Sequence, residues 1–188
     1  MQKQNHLLCF VATSLFCALL INALEIVVHK VEHKSNPDYT KVFIKIRNAT
    51  ENQRNTVIDI DSEMYRDITD GVHVRVDLAS KMGNEYRALV SKDVDLCKLN
   101  ASRSDDPLLR LLVGELKKYG NMSVDCPLHS GKYVVRNFRV NRENMLIKLA
   151  PPGEYRLGID VRHKMEQNKP AVPVFDLELY ATLEGDKA

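Results

Sequence analysis

Strict apolar–polar alternation recurs along this chain and limits what it can fold into. In V-F-I-K-I, Val42, Ile44 and Ile46 fall on one side. G-V-H-V-R-V-D-L sends Val72, Val74, Val76 and Leu78 one way and His73, Arg75 and Asp77 the other. Y-R-L-G-I-D-V-R sets Tyr155, Leu157, Ile159 and Val161 against Arg156, Asp160 and Arg162. F-D-L-E-L-Y-A-T-L aligns Phe175, Leu177, Leu179, Ala181 and Leu183. A period of two is the repeat of a strand with one buried and one wet face, and such strands pair antiparallel. Less regular strands are predicted at 25–31, 56–61, 86–90, 133–140 and 145–149. Turn chemistry separates them at Asn36-Pro37-Asp38, Asp70-Gly71, Met82-Gly83-Asn84, Ser130-Gly131 and Pro151-Pro152-Gly153.

The pattern breaks once, at D-D-P-L-L-R-L-L-V-G-E-L-K-K-Y-G. There Leu108, Leu109, Leu112, Val113, Leu116 and Tyr119 form one helical stripe. Asp106 suits the N-cap, Pro107 the first helical position and Gly120 the C-cap, while Lys117 and Lys118 complement the dipole. Gly114 is the weak point, costing about 1 kcal/mol against alanine. The spacing predicts a helix over 106–119. About nine short strands with one short helix in a single unit predict a mostly β chain, folded as an antiparallel β-sandwich.

The N-terminal segment reads differently. Leu7 to Ile21 is an uncharged apolar run following M-Q-K-Q-N-H, and Ile21-Asn22-Ala23 suits cleavage. That is the layout of a secretory signal peptide at 1–23, and the run is shorter than the roughly 20 residues a membrane span needs. The expected mature protein is then a single domain over 24–188, extracellular, with no stable membrane insertion. Loss of Lys3 from the 27 basic residues leaves 26 against 25 acidic ones, a balance that gives nucleic acid no electrostatic reason to bind.

Of four cysteines, Cys9 and Cys17 lie in the signal segment. Cys97 and Cys126 remain, and the secretory route is oxidising, so one intramolecular disulfide is expected as a staple. Three N-x-S/T sequons, at Asn48, Asn100 and Asn121, support the same route and are candidate glycosylation sites on exposed chain.

Catalytic chemistry is thin. His29 and His33 stand four apart, which on a regular strand puts them on one face but about 13 Å apart, too far to share a zinc ion. His129 lies near Cys126, but an oxidised cysteine is no nucleophile. The acidic residues Asp59, Asp61 and Glu63, and Asp93 with Asp95, are spaced as a solvated strand face is. Arg136, Arg139 and Arg142 are read as scattered surface arginines. No G-x-S-x-G, P-loop or G-x-G-x-x-G occurs. The expectation is a non-enzymatic protein without metal or cofactor.

With no tryptophan and 6% aromatic residues, the core is filled chiefly by Val, Leu and Ile. Such a core either closes or leaves an aliphatic gap between the sheets, and composition leaves both open.

The middle third carries a resemblance. Leu96-Cys97, the leucine-rich 108–116, Gly120-Asn121, Cys126-Pro127, Gly131-Lys132-Tyr133, the strand 134–140 and Pro151-Pro152-Gly153-Glu154-Tyr155-Arg156 follow one another in a characteristic order. This resembles a large insect family of small secreted proteins, a domain of unknown function that includes chemosensory proteins of taste and pheromone-sensing bristles. The family is distantly similar to the ML lipid-recognition fold of the ganglioside activator. The resemblance implies that Cys97 and Cys126 pair, and that an ML-like, immunoglobulin-like sandwich splays its sheets to admit lipid. Many relatives carry further cysteines nearer the N-terminus, and this chain has none there after the signal. The expected function is binding a lipid or pheromone-like hydrophobic molecule, carried or presented between the sheets, with a cell-surface receptor as a further partner. Its candidate inward face is Val72, Val74, Val76, Leu157, Ile159, Leu177 and Leu179. The rival expectation is an extracellular protein–protein interaction module with a closed core.

Overall fold

The computed structural model describes residues 25–47, 56–98, 107–122, 126–139, 150–165 and 170–184. The signal segment, Asn48, Asn100, Asp106, Arg142 and the strand expected at 145–149 lie outside these residues.

The other eight expected strands are present: β1 (Glu25–Ser35), β2 (Thr40–Arg47), β3 (Val57–Met64), β4 (Val72–Met82), β5 (Glu85–Asp95), β6 (Gly131–Phe138), β7 (Gly153–His163) and β8 (Val172–Glu184). The helix α1 (Pro107–Tyr119) lies between β5 and β6. All pairings are antiparallel, in a five-stranded sheet of order β1-β8-β7-β4-β5 and a three-stranded sheet of order β2-β3-β6. The cleanest alternation falls at the centre of the larger sheet. Val74↔Val161, Val76↔Ile159 and Leu157↔Leu179 are partners, so one row of aliphatics faces inward across three strands.

Two bulges adjust this register. In β1 the pairing shifts between Val28 and Lys30, making His29 the extra residue. Val28 then pairs with Ala181 and Val31 with Leu179, so residues three apart both face inward. The same shift corrects the expectation that His29 and His33 share a face. His33 is paired with Leu177 on the inner face, whereas His29 turns outward to Thr182 Oγ1 at 2.5 Å. In β6 the shift opposite Ile58 and Ile60 centres on Asn137, which takes the left-handed conformation at φ 56°. Arg47 Nη2 donates to Asn137 Oδ1 at 2.7 Å and the Asn137 N–H to Asp59 Oδ1 at 2.8 Å.

The chain changes sheets between β1 and β2. Asn36 organises that turn: its N–H donates to Val174 O, its Nδ2 to Pro173 O, and its Oδ1 accepts from Asp38 N. Tyr39 and Thr40 follow, both buried. The core closes at this end of the sandwich, where Tyr39, Ile68, Val72, Leu96 and Val174 pack together. At the opposite end Ile26, Val28, Val57 and Leu183 are buried, and Thr56 Oγ1 accepts from Val28 N at 2.9 Å.

The helix sits against β6. Tyr119 meets Phe138 edge-on at 5.4 Å between ring centres, and Val113 is buried. Gly120 is required for a reason other than the expected cap. It forms a bridge with Val135, and a Cβ there would collide with the Val134 carbonyl. Gly114, by contrast, faces open space. Gly114→Ala is therefore expected to stabilise the protein by about 0.5–1 kcal/mol, read as a rise in the urea midpoint at unchanged slope.

Candidate functional site

Between the two sheets lies a cavity of about 300 Å³. Seven strands and the helix supply its walls, β1 through Val31. From the larger sheet come Val74 and Val76 of β4, Leu157, Ile159 and Val161 of β7, and Leu177 and Leu179 of β8. The facing wall is Val42 and Ile44 of β2 with Ile58, Ile60 and Met64 of β3. Val113 and Leu116 of α1 and Phe138 of β6 contribute from the side. No charged side chain is among the described lining residues.

The row of inward residues expected from sequence is placed here with one difference. Val74, Val76, Leu157, Ile159, Leu177 and Leu179 line the cavity, whereas Val72 does not. Val72 is fully buried in the closed core beside Tyr39 and Leu96, one turn of the pleat beyond the void. The second sheet and the helix are half of the site and were not among the expected residues. Their own alternation, Val42-Ile44 and Ile58-Ile60, was the available signal, but a strand's pattern does not say which sheet it faces.

Three polar side chains reach the cavity: Thr40, Ser62 and Tyr133. Thr40 Oγ1 donates to Glu63 O at 3.0 Å and lies 3.2 Å from Ser62 Oγ. Tyr133 Oη donates to His129 O at 2.6 Å.

The Cys97–Cys126 disulfide, with Cα atoms 5.0 Å apart, joins the end of β5 in one sheet to the approach to β6 in the other. It is thus a tie across the sandwich beside the cavity. Asp95 prepares the turn at one end, its Oδ1 accepting from Cys97 N at 3.0 Å and from Lys98 N at 3.3 Å. At the other end the Cys126–Pro127 peptide is cis, and Leu128 exchanges two backbone hydrogen bonds with Ile68.

Asp67 locks the turn that follows. Its Oδ1 accepts from Ser130 N at 2.6 Å, and its Oδ2 lies 3.3 Å from His129 Nδ1. The Ser130 N–H and hydroxyl, then His129, hold its carboxyl down at about 2 from an ordinary 3.8. A depressed carboxyl contributes stability above its unfolded value and loses it as pH falls through the folded one. Asp67→Asn is therefore expected to lower the melting temperature near neutral pH, with the gap from wild type shrinking as pH drops from about 4 to 2. A gap constant over that range would show that the ionised form contributes nothing.

Asn121 is exposed, as a sequon acceptor must be, yet its carboxamide is in use. Oδ1 accepts from Val134 N at 2.7 Å and Nδ2 donates to Lys132 O at 3.1 Å, so the side chain extends the edge of β6 like another strand residue. One Nδ2 hydrogen serves that contact and the other is the one a glycan would replace.

The acidic residues of the smaller sheet form the wet strand face expected of them. Arg47 grips Asp59 with two bonds, at 2.9 and 3.0 Å, and Arg136 pairs with Asp61. The Asp59 carboxyl is lowered by Arg47 first and by the Asn137 N–H second. No group of three or more His, Cys, Asp or Glu among the described residues is arranged to hold a metal ion.

The stretch holding both cysteines, the helix and three of the strands is also the stretch that has relatives. Residues 72–157 match a family described as a protein of unknown function, DUF1091. The DUF1091 match covers just under half the chain, from the first residue of β4 into β7. Val74, Val76 and Leu157 of the cavity fall within it, whereas Ile159, Leu177, Leu179 and all of β2 and β3 fall outside. No curated protein matches the chain.

Proposed function

We propose that this protein is a secreted, non-enzymatic binding protein that carries or presents one hydrophobic small molecule between its two sheets. The observation that carries this reading is the 300 Å³ cavity, walled by aliphatic side chains from both sheets and the helix. A closed core would interdigitate at crystal-like density and leave few voids larger than a water molecule. An apolar cavity of this size is at the lower end of small-molecule sites. Affinity comes from burial: a chain of ten methylenes contributes roughly 8 kcal/mol before the cost of association is taken out.

The signal-like segment at 1–23, the cysteine pair and the three sequons support a secreted, extracellular setting. The resemblance of the middle third to insect chemosensory proteins, and more distantly to ML lipid-binding proteins, supports a lipid or pheromone-like cargo. Presentation to a cell-surface receptor is part of the same proposal.

The test is titration with an apolar fluorophore such as phenylnaphthylamine, on wild type and on Val74→Asp. The expected result is saturable, one-to-one enhancement in wild type that Val74→Asp abolishes while its circular dichroism is retained. Equal enhancement in the variant would put the probe outside the sheets and remove the support for a carrier.

A further inference from the structure

The polar groups of the cavity have a sign that its apolar walls conceal. A carbonyl oxygen only accepts, so the Thr40 hydroxyl proton is committed to Glu63 O. Thr40 and Ser62 lie within hydrogen-bond distance, and with the Thr40 proton already used, Ser62 must be the donor. The Tyr133 hydroxyl proton is committed to His129 O by the same argument. Every side-chain hydroxyl among the described lining residues has therefore spent its proton, and what these groups offer a ligand is lone pairs.

From this geometry we propose that the cavity selects an apolar chain of roughly a dozen carbons, judged against the benzene-sized void of about 150 Å³, whose head donates a hydrogen bond to Ser62 Oγ: an alcohol, not a carboxylate. The proposal rests on the carrier reading and specifies its cargo. An alcohol gives its proton to the Ser62 lone pair and brings no charge into the cavity. A carboxylate brings only acceptors to a wall of acceptors, with no cation among the described lining residues to balance it. A plain hydrocarbon meets no repulsion and forgoes the hydrogen bond. The order of preference is therefore alcohol, hydrocarbon, carboxylate. The resulting specificity is by rejection as much as attraction, since the unpaired charge is penalised more than the single bond gains.

The experiment compares decane, decanol and decanoate, each titrated near neutral pH into the purified protein and read by displacement of the same fluorophore. Decanol is expected to bind about tenfold tighter than decane, with decanoate weakest. In Thr40→Val/Ser62→Ala the decanol–decane gap is expected to close while decane binding persists, which also certifies that the cavity is intact. If that double variant does not fold, Ser62→Ala alone keeps the Thr40–Glu63 bond and is expected to narrow the gap. Decanoate binding as tightly as decanol would overturn the donor-head assignment and leave the carrier reading standing. A gap that survives in the variants would overturn the assignment to Ser62. Failure of all three ligands to bind would overturn the carrier reading itself.

Discussion

Val76→Asp is expected to destabilise the protein by about 3–5 kcal/mol and to abolish ligand binding in whatever fraction stays folded. Val76 is 2% exposed at the centre of the larger sheet, paired with Ile159 on one side, and it lines the cavity. An aspartate there finds no free side-chain donor among the described lining residues, because the protons of Thr40, Ser62 and Tyr133 are committed elsewhere. Its carboxyl would be forced neutral or would draw water between the sheets, and either costs several times what a surface substitution does. The companion variant Val76→Ile separates an open cavity from a filled core. One more methylene entering free space is expected to add up to about 0.8 kcal/mol of stability. Overpacking a filled core instead costs about 1–3 kcal/mol. Urea unfolding of the two variants beside wild type reads both effects, and a destabilised Val76→Ile would mean that the space is not available.

Removing the disulfide is expected to be nearly as damaging. Cys97 and Cys126 are 29 residues apart, and closing a loop of that length restricts the unfolded chain by about 3–4 kcal/mol in the chain-entropy model. The bond also has a local task. It ties the edge strand β5 to the approach to β6, so its loss frees the two sheets to part at the end where Ile68, Leu96 and Leu128 meet. Cys97→Ser/Cys126→Ser is expected to lower the urea midpoint by an amount matching that range and to reduce secretion from cultured cells. A double variant as stable as wild type would show that the Tyr39–Ile68–Val72 core closes this end without help.

Much of this architecture is legible in the residues, and the illegible parts have physical reasons. β4, β7 and β8 could be read because each is covered on one face only, so Val74, Ile159 and Leu177 alternate with charged neighbours. The helix was readable because six apolar residues at helical spacing cannot serve a strand. β5 runs to Asp95, well past its expected end at residue 90, because an edge strand with Lys92 and Asp93 has little need of apolar partners to keep its ladder. The bulge at His29 left no sequence signal, since a histidine between Val28 and Lys30 reads as ordinary strand. Asn137 at φ 56° carries a signal only once Arg47 and Asp59 are known to surround it. The cavity was half visible. One wall follows from alternation, but the opposing wall of Ile44, Ile58 and Met64 depends on which sheet lies across, and topology sets that.

On the proposed function, the space between the sheets holds a molecule. Native mass spectrometry of the protein secreted from cultured insect cells, before and after solvent extraction, tests it most directly. The expected spectrum shows an added mass of one small apolar molecule that is lost on extraction and recovered by incubation with decanol. A mass of the bare polypeptide and its glycans, unchanged by extraction and by incubation with apolar ligands, would contradict the carrier reading.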